Sequence, residues 1–215
     1  MITYKESQRK PNRTLALTLT CAVFALILSS CGAASEAAPA SDEAAGTADA
    51  QRPVVTFSVD DELLGAPVEF EESGVRFRPP YGWFVITDHQ SEQIRQGLAP
   101  LLNPEYAYET LQLYFDGESN SILLVAAPQG EHTQEDHAEY YQEALEVQEL
   151  RLDHFVFGEY ELDQLVLVEP SVVVLRYLLR HAEHNEVEVF FAVPSAEFAD
   201  MIPVIESVVG SILPL

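Results

Sequence analysis

The sequence predicts an α+β domain over residues 54–215, a mostly antiparallel sheet with helices packed on it. Strand-like and helix-like segments alternate irregularly along this part of the chain, which points to the α+β class. The 162 residues are enough for a single globular domain with its own core. Two apolar segments, 171–181 and 186–193, also match each other as the arms of a hairpin, which requires antiparallel pairing.

Residues 1–30 have the features of a secretion signal. Four basic residues lie within the first 13 positions, and an uncharged, mostly apolar run follows from Leu15 to Leu28. A membrane-spanning helix needs roughly 20 apolar residues. This run is shorter, and a polar segment follows it. We therefore expect residues 1–30 to be removed as a signal peptide.

The end of this segment, Leu-Ser-Ser-Cys at residues 28–31, resembles the lipobox of bacterial lipoproteins. The nearest small-x-small cleavage site, at residues 38–40, lies far from the apolar run. The resemblance implies that Cys31 becomes the mature N-terminus and carries acyl chains on its sulfur and its amine, and several such chains hold a protein on a bilayer. The alternative is a plain secreted protein with an incidental cysteine. Gly32 stands where some lipoproteins have an inner-membrane retention aspartate, which favours the outer membrane, facing the periplasm.

Residues 31–53 are predicted to be a lipidated cysteine followed by a disordered linker. Beyond Cys31 the segment consists of small residues, Pro, Gln, Arg and acids, with no large apolar side chain. Such a composition buries too little surface to offset the entropy lost on ordering. This linker is therefore expected to connect the folded domain to the membrane anchor as a flexible tether.

The charge balance is strongly acidic. The chain has 11 Lys plus Arg against 35 Asp plus Glu, and removing residues 1–30 leaves seven arginines, 34 acids and a net charge of −27. Nucleic acid and anionic lipid head groups are excluded as partners, because both require basic clusters. The composition is typical of adaptation to a saline environment, where screening weakens self-repulsion. A cation-binding surface is the alternative.

The first half of the domain contains strands, a turn and one helix. Apolar Val75 and Phe77 alternate with Arg76 and Arg78, which predicts a strand with one buried face. The remaining predictions are a strand at 55–59, a turn at 79–82, a helix at 88–102 and a hairpin of 111–115 with 121–128.

The second half contains the strongest helix signal, residues 133–150. Thr133 is its predicted N-cap, and helical spacing continues to Leu145 and Gln148. A strand-rich segment, 152–169, and the hairpin of 171–181 with 186–193 follow, and then an apolar stripe on a closing helix from Phe198 to Ile212.

The last hairpin can be registered from its side chains. Joining the arms through residues 181–185 sets Leu175 opposite Phe191 and Leu179 opposite Val187. On the other face, two arginines are then cross-strand or diagonal partners of two glutamates; they are Arg176, Arg180, Glu186 and Glu188. A shift by one residue loses this match.

The segment GVRFRPPYGW, Gly74 to Trp83, resembles the opening strand and Pro-x-Gly-Trp turn of the PsbP-like family, which includes DcrB-like bacterial lipoproteins. The order of elements is similar as well. The resemblance implies an α/β/α sandwich with a binding or assembly role in place of catalysis. The photosystem members' function is not carried over, because this chain has no basic surface or arm like theirs.

Histidines supply the candidate metal ligands. His181 and His184 with Glu186 offer two imidazoles and a carboxylate, which would suit a metal-assisted hydrolase, although polar residues are also expected at a hairpin tip. His132, Asp136 and His137 are interpreted as an exposed acidic helix start. No nucleophile motif or phosphate-binding glycine loop occurs, so we predict no catalytic residue, metal or cofactor.

One aromatic and cationic cluster is a candidate for contact with a ligand or partner. It consists of Tyr81 and Trp83 together with Arg76 and Arg78. Packing of Trp83 in the core is the alternative. The sequence thus predicts an envelope lipoprotein with a non-catalytic domain that binds or supports another envelope protein, and the metal-assisted hydrolase is the rival hypothesis.

Overall fold

A computed structural model describes residues 52–87, 94, 96–130 and 133–215. The predicted signal peptide, Cys31 and nearly all of the linker lie outside the described residues, as does His132. The helix predicted at 88–102 is described in part: positions 94 and 96–98 are helical, and a 3-10 turn follows at Ala99–Leu101.

A seven-stranded antiparallel sheet dominates the described part of the chain. Its strands lie in the order β3-β4-β5-β9-β8-β7-β6, and a separate antiparallel sheet has the order β1-β2-β10. The strands are β1 Val68–Phe70, β2 Val75–Phe77, β3 Phe84–Val85, β4 Ala107–Phe115, β5 Ile122–Gln129, β6 Glu149–Phe157, β7 Tyr160–Val168, β8 Val172–Arg180, β9 Val187–Pro194 and β10 Leu213–Pro214. The α-helices are α1 Gln134–Ala144 and α2 Phe198–Gly210. The predicted α+β class is confirmed.

Alternation along the strands sends side chains into two apolar clusters. One cluster joins the main sheet to α2 and to β2, and Phe191, Val208 and Phe77 belong to it. The other joins the sheet to α1 and to residues 94–102, and includes Tyr141 and Phe190. Successive strand side chains point to opposite faces, so β9 supplies both clusters with neighbouring phenylalanines.

The register predicted for the last hairpin is confirmed. Leu175 pairs with Phe191, Tyr177 with Val189, and Leu179 with Val187. The predicted hairpin around residues 116–120 is present too, as the pairing of β4 with β5. In both hairpins a period of two in apolar side chains sets the register, because a slip would turn the apolar face outward.

Two predicted elements differ from the structure. Helix α1 begins as expected after Thr133, whose side chain forms a capping box with Asp136, but it ends at Ala144 and not at residue 150. Leu145 is extended, and the Gln148 amide donates to the Val168 carbonyl at 2.8 Å. The last residues of the predicted helix therefore pair with β7 and are not helical.

Residues 55–59 form no strand. Val54 makes a parallel bridge to Val156 at the edge of β6, and the backbone of Val55 donates to the Val156 carbonyl at 2.9 Å. Phe57 then turns to the core and packs edge-on against Phe157 at 5.2 Å between ring centroids. In the described ranges no helix is long and apolar enough to span a bilayer.

Candidate functional site

A set of interacting polar side chains surrounds Arg176, in the middle of β8. Its guanidinium bonds to the Glu188 carboxylate of β9. It also donates to the hydroxyls of Tyr141 at 2.8 Å and Tyr108 at 2.7 Å. The His137 ring lies 3.1 Å from both terminal nitrogens of the arginine. One buried cation thus links strands β8, β9 and β4 of the main sheet to helix α1.

The electrostatics of this cluster keep the arginine charged. Burial alone lowers the pKa of Arg176, but the nearby Glu188 carboxylate and the two tyrosine hydroxyls outweigh burial and hold that pKa well above its usual value. Burial raises the pKa of Tyr108 and Tyr141, so both hydroxyls stay neutral donors and acceptors. A buried ion pair with further hydrogen bonds satisfies the requirement for keeping a charge in a core.

This cluster has no room for a ligand. The space lined by Tyr108, Arg176 and Glu188 holds no water-sized volume. The exposure of Arg176 is 0 % and that of Glu188 is 2 %. We conclude that the cluster joins α1 to the sheet and meets no substrate in this conformation.

The interpretation of residues 132–137 as an exposed helix start is wrong for His137. That side chain is completely buried and touches Arg176, whereas Asp136 caps the helix with Thr133. Positions 134, 137 and 141 share one face of α1, and all three are buried. The helical spacing of a polar Gln and His with Tyr141 was the signal that could have revealed this face.

The His181 and His184 rings are stacked at the tip of the β8–β9 hairpin, with centroids 4.7 Å apart. His181 Nε2 lies 3.5 Å from Glu159, and Glu186 accepts from Arg180 at 3.0 Å and so is engaged elsewhere. Within the described ranges, no three His, Cys, Asp or Glu side chains form a group that could hold a metal ion. The described residues of this tip therefore do not supply the metal ligands that the hydrolase alternative requires.

Gly74 gives this tip a testable role in packing. It adopts a left-handed conformation with φ +63°, and a Cβ placed there would overlap the His184 ring. We expect Gly74→Ala to lower the free energy of unfolding by about 2 kcal/mol, partly from backbone strain and partly from displacement of the imidazole. Urea unfolding of the purified variant measures this loss.

The matched control is Gly158→Ala, since Gly158 has φ +58° and open space around its Cβ. It should show the backbone cost alone, about 1 kcal/mol. In a His184→Ala background, the loss of unfolding free energy caused by Gly74→Ala should also fall to about 1 kcal/mol. An equal loss for Gly74→Ala with and without His184 contradicts the packing role.

The four residues of the predicted aromatic and cationic cluster do not form one site. Arg78 donates to the Gly65 carbonyl at 3.0 Å and pairs with Asp61, so it holds the loop before β1. Trp83 is partly buried and packs against the first apolar cluster, in agreement with the core alternative. Arg76 lies on β2 of the small sheet. Tyr81 is exposed at the turn that precedes β3.

Tyr81 is one of three exposed apolar side chains within residues 81–85, which together we call the edge patch: Tyr81, Phe84 and Val85. Their exposures are 74, 64 and 52 %. Phe84 and Val85 form β3, which lies at one edge of the main sheet and pairs with Phe115 and Tyr114 of β4. The sequence prediction missed the exposure of these two side chains, because the apolar run from Trp83 to Ile86 is also typical of a buried strand.

A scan against protein-family models matched none of them to this chain, and a search of curated proteins found no match.

Proposed function

We propose that this chain is an envelope lipoprotein, anchored through acylated Cys31, whose tethered α+β domain binds another envelope protein without catalysing a reaction. The anchor is supported by the sequence alone: a basic start, an apolar run too short to span a bilayer and the Leu-Ser-Ser-Cys tetrad. The fold class is consistent with the binding or assembly role that the PsbP-like resemblance implies.

The edge patch is the observation that carries the binding role. Edge strands offer unpaired backbone groups to other chains, and soluble proteins protect them with charges, prolines or bulges. Strand β3 instead carries two exposed apolar side chains, and exposed Tyr81 precedes the strand by three positions in the chain. Exposed aromatic side chains are the usual anchors of protein interfaces. We infer that the partner covers this patch with an apolar surface.

Charge limits the partner further. The predicted mature chain carries 34 acids against seven arginines. A partner with an acidic rim would be repelled, while one with a neutral or basic rim would associate faster. The inferred partner is therefore an envelope protein with an apolar contact surface and a neutral or basic surround, and nucleic acid stays excluded.

In-cell photo-crosslinking tests this function. A photoreactive residue at position 85 of the full chain should give a discrete adduct with one protein. Phe84→Ser should lower its yield by at least about tenfold, because an aromatic anchor at an interface contributes most of the contact energy. Leu215→Ser is the matched control, since Leu215 is 50 % exposed and lies outside the patch. Equal yields from Phe84→Ser and wild type would sink the proposal.

A further inference from the structure

A second surface, which we call the β10 groove, lies between the β6–β7 turn and the end of the chain. It has a volume of about 450 Å³, and its apolar walls come from Phe157, Ile212, Leu213 and Pro214. Small-molecule sites commonly have volumes of about 300–1,000 Å³ with apolar walls and a few polar groups. The β10 groove fits that description and is separate from the edge patch.

Arg76 lines this groove, and its charge is poorly neutralised. Its nearest acid is Glu69, at 3.9 Å. Each other arginine that the structure describes has an acid within 3.0 Å: Arg52, Arg78, Arg151, Arg176 and Arg180. In so acidic a domain, a guanidinium with a distant partner is the exception. It is free to donate to an oxygen of a ligand.

Tyr160 and Glu159 complete the polar groups of the groove. Tyr160 is 5 % exposed, and its buried hydroxyl has no hydrogen-bond partner among the described residues. Burial raises the pKa of Tyr160 to about 12, so the hydroxyl keeps its proton. Leaving such a group unpaired is costly. Glu159 lines the groove as well, with an exposed carboxylate. The groove therefore offers a cation and an anion.

We propose that the β10 groove binds a zwitterionic amphiphile with a single acyl chain. The chain lies on the apolar walls, the phosphate accepts from Arg76, and the ammonium group meets Glu159. A ligand with a net negative charge is disfavoured by the acidic domain, whereas a zwitterion matches both signs at the groove. The choice of a lipid over other zwitterions rests on the proposed function, because a membrane-tethered domain is surrounded by lipid.

Photo-crosslinking of the full chain with a lysophosphatidylcholine that carries a diazirine at the end of its acyl chain tests the site. Mass spectrometry should place adducts on peptides that contain residues 157–160 or 212–214. Leu213→Glu should lower labelling of these peptides by about tenfold or more, because it places a charge on an apolar wall. Val85→Glu is its matched control on the edge patch and should label as wild type does. Adducts that lie only elsewhere in the chain overturn the site.

Competition tests the head group. Unlabelled lysophosphatidylcholine should abolish labelling, an alkyl carboxylate of equal length should compete about tenfold more weakly, and glycerophosphocholine should not compete. Arg76→Gln should lower the affinity of the groove for unlabelled lysophosphatidylcholine by about tenfold. Arg151→Gln is the control and should leave this affinity unchanged. Arg151 has a similar exposure, and its guanidinium pairs with Asp153 at 2.6 Å. Equal competition by the carboxylate overturns the head-group assignment.

These readouts do not depend on the proposed anchor. A Cys31→Ser chain should show the same groove adducts as wild type. Labelling that persists in this chain while the native N-terminus proves unmodified would remove the proposed function and leave the groove intact. Loss of groove adducts from a chain with an acylated Cys31 would remove the groove site and leave the proposed function intact. Far-UV circular dichroism of each variant confirms that it is folded before labelling.

Discussion

Replacing Arg176 with methionine is expected to lower the free energy of unfolding by about 3–5 kcal/mol, because the substitution leaves the Glu188 carboxylate buried without its cation. The second oxygen of Glu188 already has no hydrogen-bond partner among the described residues, so the arginine is its main stabilising neighbour. The hydroxyls of Tyr108 and Tyr141 lose a donor as well. Urea unfolding followed by circular dichroism measures the change.

The double variant Arg176→Met with Glu188→Leu provides the control. It removes both charges together, and replacing a buried ion pair by apolar side chains is often close to neutral. We expect its free energy of unfolding to lie within about 2 kcal/mol of wild type. A double variant that is as unstable as Arg176→Met alone would show that packing, and not the unpaired carboxylate, accounts for the loss.

Alkaline pH is expected to unfold the domain. Burial raises the pKa of Tyr114 and Tyr160 from an ordinary value of 10.0 to about 12, and it also raises the pKa of Tyr108, Tyr141 and Tyr177. Below pH 10 these tyrosines are protonated in both states, and their contribution to stability is complete. Between pH 10 and 12 the unfolded chain releases protons that the folded chain retains. Stability is then lost at about 1 kcal/mol per pH unit for each such tyrosine.

Absorbance of tyrosinate and far-UV circular dichroism, recorded together from pH 8 to 12, test this prediction. Ionisation of the buried tyrosines should coincide with loss of structure. Tyr114→Phe removes one of these groups from the core, so its stability should fall less steeply above pH 10 while remaining close to wild type at pH 7. Ionisation of all tyrosines without any loss of ellipticity would contradict the account.

The strand register was predictable because two patterns agree along β8 and β9. Apolar residues alternate with a period of two, and the polar positions of one strand carry the opposite charge to those of the other. The pairs of Arg176 with Glu188 and of Arg180 with Glu186 follow from this register. The burial of the Arg176–Glu188 pair did not follow, because Arg176 is covered by a helix that lies about 40 positions earlier in the sequence, and hairpin spacing carries no information about that contact.

The candidate binding cluster was only partly predictable for a similar reason. Arg76 and Trp83 are seven positions apart, and a local interpretation of the sequence groups them. The turn at residues 79–82 carries the chain from the three-stranded sheet to the seven-stranded sheet, so β2 and β3 have different neighbours. Arg76 consequently meets the C-terminal residues at the β10 groove, whereas Tyr81 belongs to the edge patch.

The end of α1 was missed because local propensity competed with long-range pairing. Residues 145–150 continue the apolar spacing of the helix and carry several good helix formers. Residues 148–150 instead extend the hairpin of β6 with β7, in which nine consecutive pairs form. Pairing along a whole strand outweighs the few tenths of a kcal/mol that each residue gains from helix propensity.

Attachment to a membrane through Cys31 is the central claim of the proposed function, and the mass of the native N-terminal peptide tests it most directly. The protein isolated from the membranes of the cells that make it should begin at Cys31 and carry acyl chains on both the sulfur and the amine. A chain that begins at another residue, or an unmodified sulfur at position 31, would contradict the proposed location and the tethered role together.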